Sequence, residues 1–165
     1  MLAQETQQAI IERFGNTLRL RVSGICIQNE KILLIKHQYL GKGNYLWSPP
    51  GGGMYFGETA HQTLKREFAE ETGLIIEVGK LLFVNEFLDP PLHAIELFFE
   101  VSIIGGTLKQ GFDPELTSRN QIIQEVRFLS VTELQAEPQE CLHSLLRNCT
   151  QVNDVLQKNG YLCTK

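Results

Sequence analysis

The chain has 165 residues, of which 42% are hydrophobic and 21% charged, and it carries a net charge of -4 at pH 7. This length and composition predict a single globular domain, residues 1–165, that can bury a hydrophobic core. The acidic balance argues against a protein devoted to binding a nucleic-acid polymer, and the four scattered cysteines indicate neither a zinc site nor a disulfide framework.

The N-terminal segment predicts an amphipathic helix. Residues 3–14 place Ala9, Ile10 and Phe14 at helical spacing, and a Gly-Asn pair follows as a stop signal. The helix could cover the core or contribute to a homodimer contact. The same segment lacks the long apolar core of a signal peptide, and no run in the chain approaches 18 apolar residues. We therefore expect a cytoplasmic protein without a membrane contact.

Two apolar, β-branched segments follow. Residues 19–28 and 31–36 are separated by an Asn-Glu pair and predict a β-hairpin. Their near-continuous apolar runs indicate a sheet that is covered on both faces. Residues 37–50 are rich in turn formers and aromatic side chains, and they predict a loop. Trp47 is expected to pack within this loop, with stacking on a nucleobase as the alternative.

The C-terminal half predicts three strands and a helical end. Residues 76–88 and 94–104 form two strands around an Asp-Pro-Pro connection, and residues 122–130 form a third. Thr132 is expected to cap a short helix. The apolar positions of residues 141–156 predict one helix or two short ones.

Between the two halves lies a glycine-rich turn that leads into a short helix. This stretch, residues 51–75, reads GGGMYFGETAHQTLKREFAEETGLI. Thr59 with Gln62 three residues later predicts a capping box at the start of the helix. Gly73 stands where a left-handed residue ends a helix. The helix is therefore short and sharply delimited.

Three carboxylates crowd one flank of this helix. Glu67, Glu70 and Glu71 are spaced i, i+3 and i+4, so they are neighbours on its surface. Two such charges about 6 Å apart repel by roughly 2–3 kcal/mol at an effective dielectric of about 20. Glu71 also falls inside the apolar stripe of the helix and Glu67 at its edge. A buried acid must be paired, neutralised or bound to a cation, and Mg²⁺ suits an all-oxygen cluster. The alternative is a solvated acidic face.

These residues follow the pattern G-x5-E-x7-R-E-U-x-E-E-x-G-U, in which U is a bulky apolar residue. Its fixed positions are occupied by Gly52, Glu58, Arg66, Glu67, Phe68, Glu70, Glu71, Gly73 and Leu74. In this motif the chain resembles the Nudix family, whose signature is the Nudix box. The match at every fixed position makes the resemblance specific, although the motif covers only 23 of the 165 residues.

The resemblance implies an α/β fold, the Nudix α/β/α sandwich with a mixed β-sheet between helices. It also implies Mg²⁺ as the cofactor, with Mn²⁺ as the alternative. The implied metal ligands are Glu67, Glu70, Glu71 and the backbone carbonyl of Gly51. The interleaved strands and helices of the sequence by themselves predict only an α/β or α+β class.

The expected catalytic set consists of the same three glutamates with Arg66 and Glu58. Arg66 lies on a different flank of the helix, so it is interpreted as orienting Glu58 or a box glutamate rather than binding metal. A mainly structural role for these two residues is the alternative. The general base is left open between a box glutamate, Glu115 and Glu125.

The implied reaction is hydrolysis of the phosphoanhydride in a nucleoside diphosphate linked to another moiety. The small-molecule substrate classes are nucleotide sugars, ADP-ribose among them, and nucleoside triphosphates. One alternative is a catalytically weak, nucleotide-sensing or regulatory Nudix domain, against which the intact acids weigh. The other is an isoprenoid diphosphate isomerase, which needs a Cys and a Glu acting across the substrate; Cys26 has no evident paired acid.

Overall fold

In the computed structural model, which describes residues 2–114, 116 and 121–164, nine strands form two sheets and three α-helices accompany them. The helices are α1 (Leu2–Phe14), α2 (Ala60–Thr72) and α3 (Val131–Ala136). The strands are β1 (Leu18–Ile25), β2 (Ile27–Gln28), β3 (Lys31–Gln38), β4 (Tyr45–Ser48), β5 (Gly51–Gly53), β6 (Leu74–Asp89), β7 (Leu92–Gly106), β8 (Ile123–Ser130) and β9 (Tyr161–Thr164). Short 3-10 helices cover Gln139–Cys141, Ser144–Leu146 and Val152–Gln157. Among the described residues, no helix combines the length and apolar character needed to cross a bilayer.

The larger sheet is mixed and has the strand order β5-β1-β7-β6-β9. Its β1–β7 and β6–β9 pairs are parallel, whereas β1–β5 and β6–β7 are antiparallel. In the smaller sheet, β3 pairs antiparallel with β2, β4 and β8. The predicted mixed sheet flanked by helices is confirmed, and its strands are divided between two sheets.

Strand β3 separates two hydrophobic clusters. Ile32 and Leu34 point into the cluster that the 3-10 helices cover, and Leu33 points into the cluster beneath α2. The three side chains are fully buried, as alternation along a strand with two covered faces requires. The expectation of a sheet covered on both faces is confirmed. Helix α2 contributes Leu64 and Phe68 to its cluster.

The ends of α2 form as the sequence predicts. The Thr59 hydroxyl accepts a hydrogen bond from the Gln62 N–H at 3.2 Å, and the Gln62 side chain accepts one from the Thr59 N–H at 2.9 Å. Gly73 has φ +70°, and its N–H donates to the Ala69 carbonyl at 3.1 Å. The capping box and the left-handed C-terminal glycine fix the length of the helix.

Two expectations for the first half of the chain are wrong. Strand β1 lies in the larger sheet, and only β2 pairs with β3 across the predicted turn, because β1 aligns over its whole length with β7. Residues 37–50 are not one loop, since β4 pairs with β3 and the turn is confined to residues 39–44. Trp47 lies on β4 and is fully buried. It therefore packs rather than presenting a stacking surface.

The C-terminal expectations also need correction. The hydroxyl of Ser130, not Thr132, caps α3 by accepting from the Glu133 N–H. Residues 141–156 contain two short helices, as one of the two alternatives predicts, but both are 3-10 helices, and Asn148 at φ +59° lies between them. Strand β9 was not predicted. It is four residues long, and its partner β6 is distant in sequence, so it leaves no local signal.

The packing of Phe68 predicts a large stability difference between two phenylalanines. The Phe68 ring is fully buried against β1, where a Cβ at Gly24 would overlap it, whereas Phe56 is fully exposed. Phe68→Ala should lower the free energy of unfolding by about 3–5 kcal/mol. Phe56→Ala should change it by less than about 0.5 kcal/mol. Urea unfolding of the two variants measures both values, and equal losses would contradict this packing.

Candidate functional site

The glycines of the predicted turn, Gly51–Gly53, form the short strand β5, which lies against helix α2 and is called the glycine turn below. Strand β5 pairs antiparallel with β1, in the register Val22 to Gly52 and Ser23 to Gly51. A Cβ at Gly52 would overlap the Glu67 carboxylate. Only a residue without a side chain therefore allows this close approach of the turn and the helix. The first box glycine and the first box glutamate of the helix are in direct contact.

Arg66 is the centre of an ion-pair network on α2. Its Nε and Nη2 atoms donate to the two Glu58 oxygens, each at 3.0 Å. Its Nη1 atom donates to Glu67 at 2.7 Å and to Glu70 at 3.2 Å. The guanidinium also lies over the Tyr55 ring, 4.3 Å from its centroid. One cation thus orients three carboxylates, which agrees with the interpretation of Arg66 as an orienting residue.

Glu71 stands apart from this network. One of its oxygens accepts a hydrogen bond from the Gly51 N–H at 2.9 Å, and the residue is only 4% exposed. Glu67 is 6% exposed, whereas Glu70 is half-buried. The helical stripe therefore buries the two acids that the sequence placed inside it and at its edge.

The charges of the buried acids are incompletely compensated. Burial raises the pKa of Glu67 to about 7, although the Arg66 hydrogen bond acts in the opposite direction. Burial and the neighbouring charge of Glu67 raise the pKa of Glu71 well above its usual value. In contrast, the Arg66 hydrogen bonds lower the pKa of Glu58 to about 2. Arg66 therefore compensates Glu58 most fully, and the metal-free fold favours the protonated forms of Glu67 and Glu71.

This donor set fits a hard divalent cation in its chemistry. Two buried carboxyl groups lack full compensation of their charged forms, and carboxylate and carbonyl oxygens are the ligands that Mg²⁺ prefers. In the described part of the chain, however, no three His, Cys, Asp or Glu side chains are arranged to hold one metal ion. The reason is visible in the contacts, since Glu67 and Glu70 turn to Arg66 whereas Glu71 turns to Gly51.

The loop after β7 closes the C-terminal end of α2. The N–H groups of Gly111 and Phe112 donate to the carbonyls of Glu71 and Glu70 at 2.9 and 3.3 Å. This brings Asp113 close enough for its charge to contribute to the raised pKa of Glu71, after burial and Glu67. Sequence analysis did not single out Asp113, because the loop contacts that place it leave no local pattern.

Of the two candidate general bases outside the box, only Glu125 lies among the described residues. Glu115 lies outside the described residues. Glu125 lies on β8 next to Val126, whose side chain packs with the cluster beneath α2, so alternation directs Glu125 to the opposite face of the strand. There it pairs with Arg127 at 2.8 Å. The structure does not bring Glu125 to the box helix.

Arg21 is a further residue that sequence analysis missed. Its Nη2 atom donates to the Gly51 carbonyl at 3.5 Å, and its Nε atom lies 3.8 Å from the Glu96 carboxylate. The sequence contains one signal for this residue. Residues 19–22 read RLRV, which places an arginine next to the apolar part of strand β1, and an arginine beside buried residues usually has a partner.

Comparison with known proteins identifies the family. The model of the NUDIX domain matches residues 17–148. ADP-ribose pyrophosphatase of Methanocaldococcus jannaschii is 43% identical over 95 residues, which cover 56% of this chain and 55% of that protein. The putative mutator protein MutT4 of Mycobacterium tuberculosis is 29% identical over 119 residues, which cover 70% of this chain and 44% of that protein. The chain thus spans about half the length of these curated relatives.

The fold has close counterparts among solved structures. The crystal structure of a UDP-X diphosphatase superposes with a TM-score of 0.61 at 20% identity, over 97% of this chain and 74% of that one. With the family match over most of the chain, these findings show that the protein belongs to the Nudix domain family. The family prediction is confirmed. Members of the family generally use a divalent metal ion.

The raised pKa of Glu67 predicts a pH dependence of stability. The folded side chain keeps its proton to about pH 7, whereas an unfolded glutamate releases it near pH 4.5. Between these values the folded state binds more protons, so raising the pH lowers the free energy of unfolding of the metal-free protein. Glu67→Gln removes this effect. The free energy of unfolding of the variant minus that of the wild type should therefore be about 1–3 kcal/mol greater at pH 7.5 than at pH 4.5.

Urea unfolding in the presence of a chelator at the two pH values measures this difference. Burial lowers the pKa of His37 to about 4, which acts in the opposite direction, but it does so in both proteins and cancels when they are compared. Parallel stability curves for the wild type and Glu67→Gln would contradict the raised pKa.

Proposed function

We propose that this chain is a Mg²⁺-dependent Nudix pyrophosphohydrolase that cleaves the phosphoanhydride of a nucleoside diphosphate linked to another moiety. The observation that carries the proposal is the pair of buried, undercompensated carboxylates, Glu67 and Glu71, beside the glycine turn. Burying two acids without full compensation destabilises a fold, so their presence indicates that they bind a cation.

The family and its relatives support the proposed substrate class. The 43% identical relative is named an ADP-ribose pyrophosphatase, and the chain shares the full Nudix box. ADP-ribose and similar nucleotide sugars are therefore the first substrates to test, and nucleoside triphosphates are the second class. The proposed domain is residues 1–165. A cytoplasmic location and a homodimer contact through α1 stay predictions.

The proposed metal ligands are Glu67, Glu70, Glu71 and the Gly51 carbonyl, with Mn²⁺ as the alternative to Mg²⁺. A bound divalent ion would neutralise the diphosphate oxygens and favour attack by water at phosphorus. Arg66 holds Glu67 and Glu70 in place through its hydrogen bonds, and Glu58 in turn fixes the guanidinium. The Gly51 N–H fixes one oxygen of Glu71. The chain thereby holds each carboxylate in a defined orientation in the absence of a ligand, and a metal ion would require the three described carboxylates to turn towards one point.

The general base of the proposed reaction stays open between a box glutamate, Glu115 and Glu125. The raised pKa of Glu67 belongs to the metal-free protein, since a bound cation would favour the charged carboxylate. Glu125 is less suited because it lies on the face of β8 away from α2.

Substitution of the box acids should separate chemistry from folding. Glu70→Gln and Glu71→Gln should each lower kcat/KM by about 100-fold or more, because each removes a charge from the reacting centre but keeps the side-chain shape. Glu77→Gln, at an exposed position on β6, is the matched control and should retain full activity. Steady-state kinetics with circular dichroism of each variant measures both effects. Near-normal activity in either box variant would contradict the metal assignment.

The substrate class and the metal requirement can be tested together. Formation of the nucleoside monophosphate, resolved by anion-exchange chromatography across ADP-ribose, other nucleotide sugars, dinucleotides and nucleoside triphosphates, should be fastest for a nucleotide sugar. A chelator should abolish the activity, and Mg²⁺ or Mn²⁺ should restore it. Binding of nucleotides without any turnover in the presence of Mg²⁺ would instead favour the nucleotide-sensing alternative.

A further inference from the structure

A row of polar side chains crosses the larger sheet towards the glycine turn. The pairing registers place Asn85 of β6 opposite Glu96 of β7, and Glu96 opposite Arg21 of β1. Directly opposed residues in adjacent strands project to the same face of a sheet, so the three side chains are neighbours. The next residue in the row is Gly53 of β5. The row therefore ends at the turn that contacts the box helix.

The centre of this row is a firmly held anion. Glu96 is 8% exposed; it accepts a hydrogen bond from Asn85 at 2.9 Å and pairs with His143 Nε2 at 3.3 Å. Burial by itself would raise the pKa of Glu96, but the charge and hydrogen bond of His143, with the charge of Arg21, lower it to about 2. Glu96 is therefore ionised at neutral pH, and it gives the Arg21 guanidinium a fixed partner.

The other end of Arg21 reaches the backbone of the site. Its Nη2 atom donates to the Gly51 carbonyl, and the N–H of the same residue donates to Glu71. Gly51 has φ +154°, and a Cβ there would overlap the Val22 carbonyl, so the turn must lie directly against β1. Two side chains thus hold the polar groups of Gly51 from opposite sides: Arg21 contacts its carbonyl, and Glu71 accepts a hydrogen bond from its N–H.

Stability alone gives a poor account of this arrangement. Taking charged groups out of water costs about as much as their attraction returns, so an apolar pair in the same place would stabilise the sheet equally well or better. Arg21 remains 28% exposed at its side chain and contacts the Gly51 carbonyl. The directional hydrogen bond that Arg21 donates is better explained by a role in fixing the orientation of the Gly51 peptide group.

We propose that Arg21 is a positioning residue for the active site. Glu96 anchors the Arg21 guanidinium, and Arg21 orients the Gly51 peptide so that the Gly51 N–H holds Glu71. The inference rests on the proposed function for its effect on the reaction, but the positioning itself is a property of the substrate-free protein. Arg21 acts through Gly51 and Glu71, without touching the substrate. A carbonyl oxygen has two lone pairs, so the Arg21 contact leaves one of them free on Gly51.

Hydrogen exchange of the Gly51 amide tests the positioning directly. In ¹⁵N-labelled, metal-free protein, Arg21→Gln should speed exchange of this amide by about tenfold or more, because its hydrogen bond to Glu71 opens more often. Arg19→Gln is the matched control. Arg19 lies two residues earlier on β1 and stacks on Phe14. It should leave the exchange rate of the Gly51 amide unchanged. Glu96→Gln should give an intermediate rate, since it leaves Arg21 in place without its anion.

The kinetic readout separates positioning from substrate binding. Arg21→Gln should lower kcat by about 10–100-fold with KM nearly unchanged, the range typical for a residue that orients a ligand of the metal. Arg21→Lys, which keeps the charge but not the guanidinium geometry, should recover part of this loss. A titration of the substrate-free protein with Mn²⁺ should show weaker binding in Arg21→Gln and wild-type binding in Arg19→Gln.

Two results would overturn the inference. Unchanged exchange of the Gly51 amide in Arg21→Gln would show that Arg21 does not hold the peptide. A raised KM with an unchanged kcat would show that Arg21 contacts the substrate itself. If the wild-type protein hydrolyses no member of the substrate panel, the proposed function fails, and the exchange rate of Gly51 still decides whether Arg21 has a positioning role.

Discussion

The site depends on a charge imbalance around one guanidinium. Arg66 donates hydrogen bonds to Glu58, Glu67 and Glu70, so a single guanidinium faces three carboxyl groups, and Glu71 bonds instead to the Gly51 N–H. Burial keeps water from screening the remainder. A divalent ion would relieve this imbalance.

The fold supplies the rigid frame that this imbalance requires. Helix α2 is capped at both ends and packs by Leu64 and Phe68, so its carboxylates cannot separate by fraying. The glycine turn is held from the other side by β1, on which Arg21 contacts Gly51. The acids and the turn are thus fixed by different elements, and their relative placement depends on the packing of the helix on the sheet.

The sequence predicts the helix and its acids better than it predicts their surroundings. The capping box, the left-handed Gly73 and the burial of Glu67 and Glu71 follow from local spacing, because an α-helix is determined within a few residues. The sheet assignment of β1 and the existence of β9 depend on partners more than 70 residues away, so local patterns cannot reveal them. The contact of Arg21 with Gly51 and the contacts of the Gly111 loop with α2 also join residues that are far apart in the sequence.

The lengths of the strands in the larger sheet have a consequence for solubility. The two long strands, β6 with 16 residues and β7 with 15, lie inside the sheet, whereas its two edges are β5 with three residues and β9 with four. A long flat edge is a template on which other chains can add strands and aggregate. Short edges offer few backbone groups for such pairing. The order of the strands therefore leaves few backbone groups on β5 and β9 for pairing with another chain.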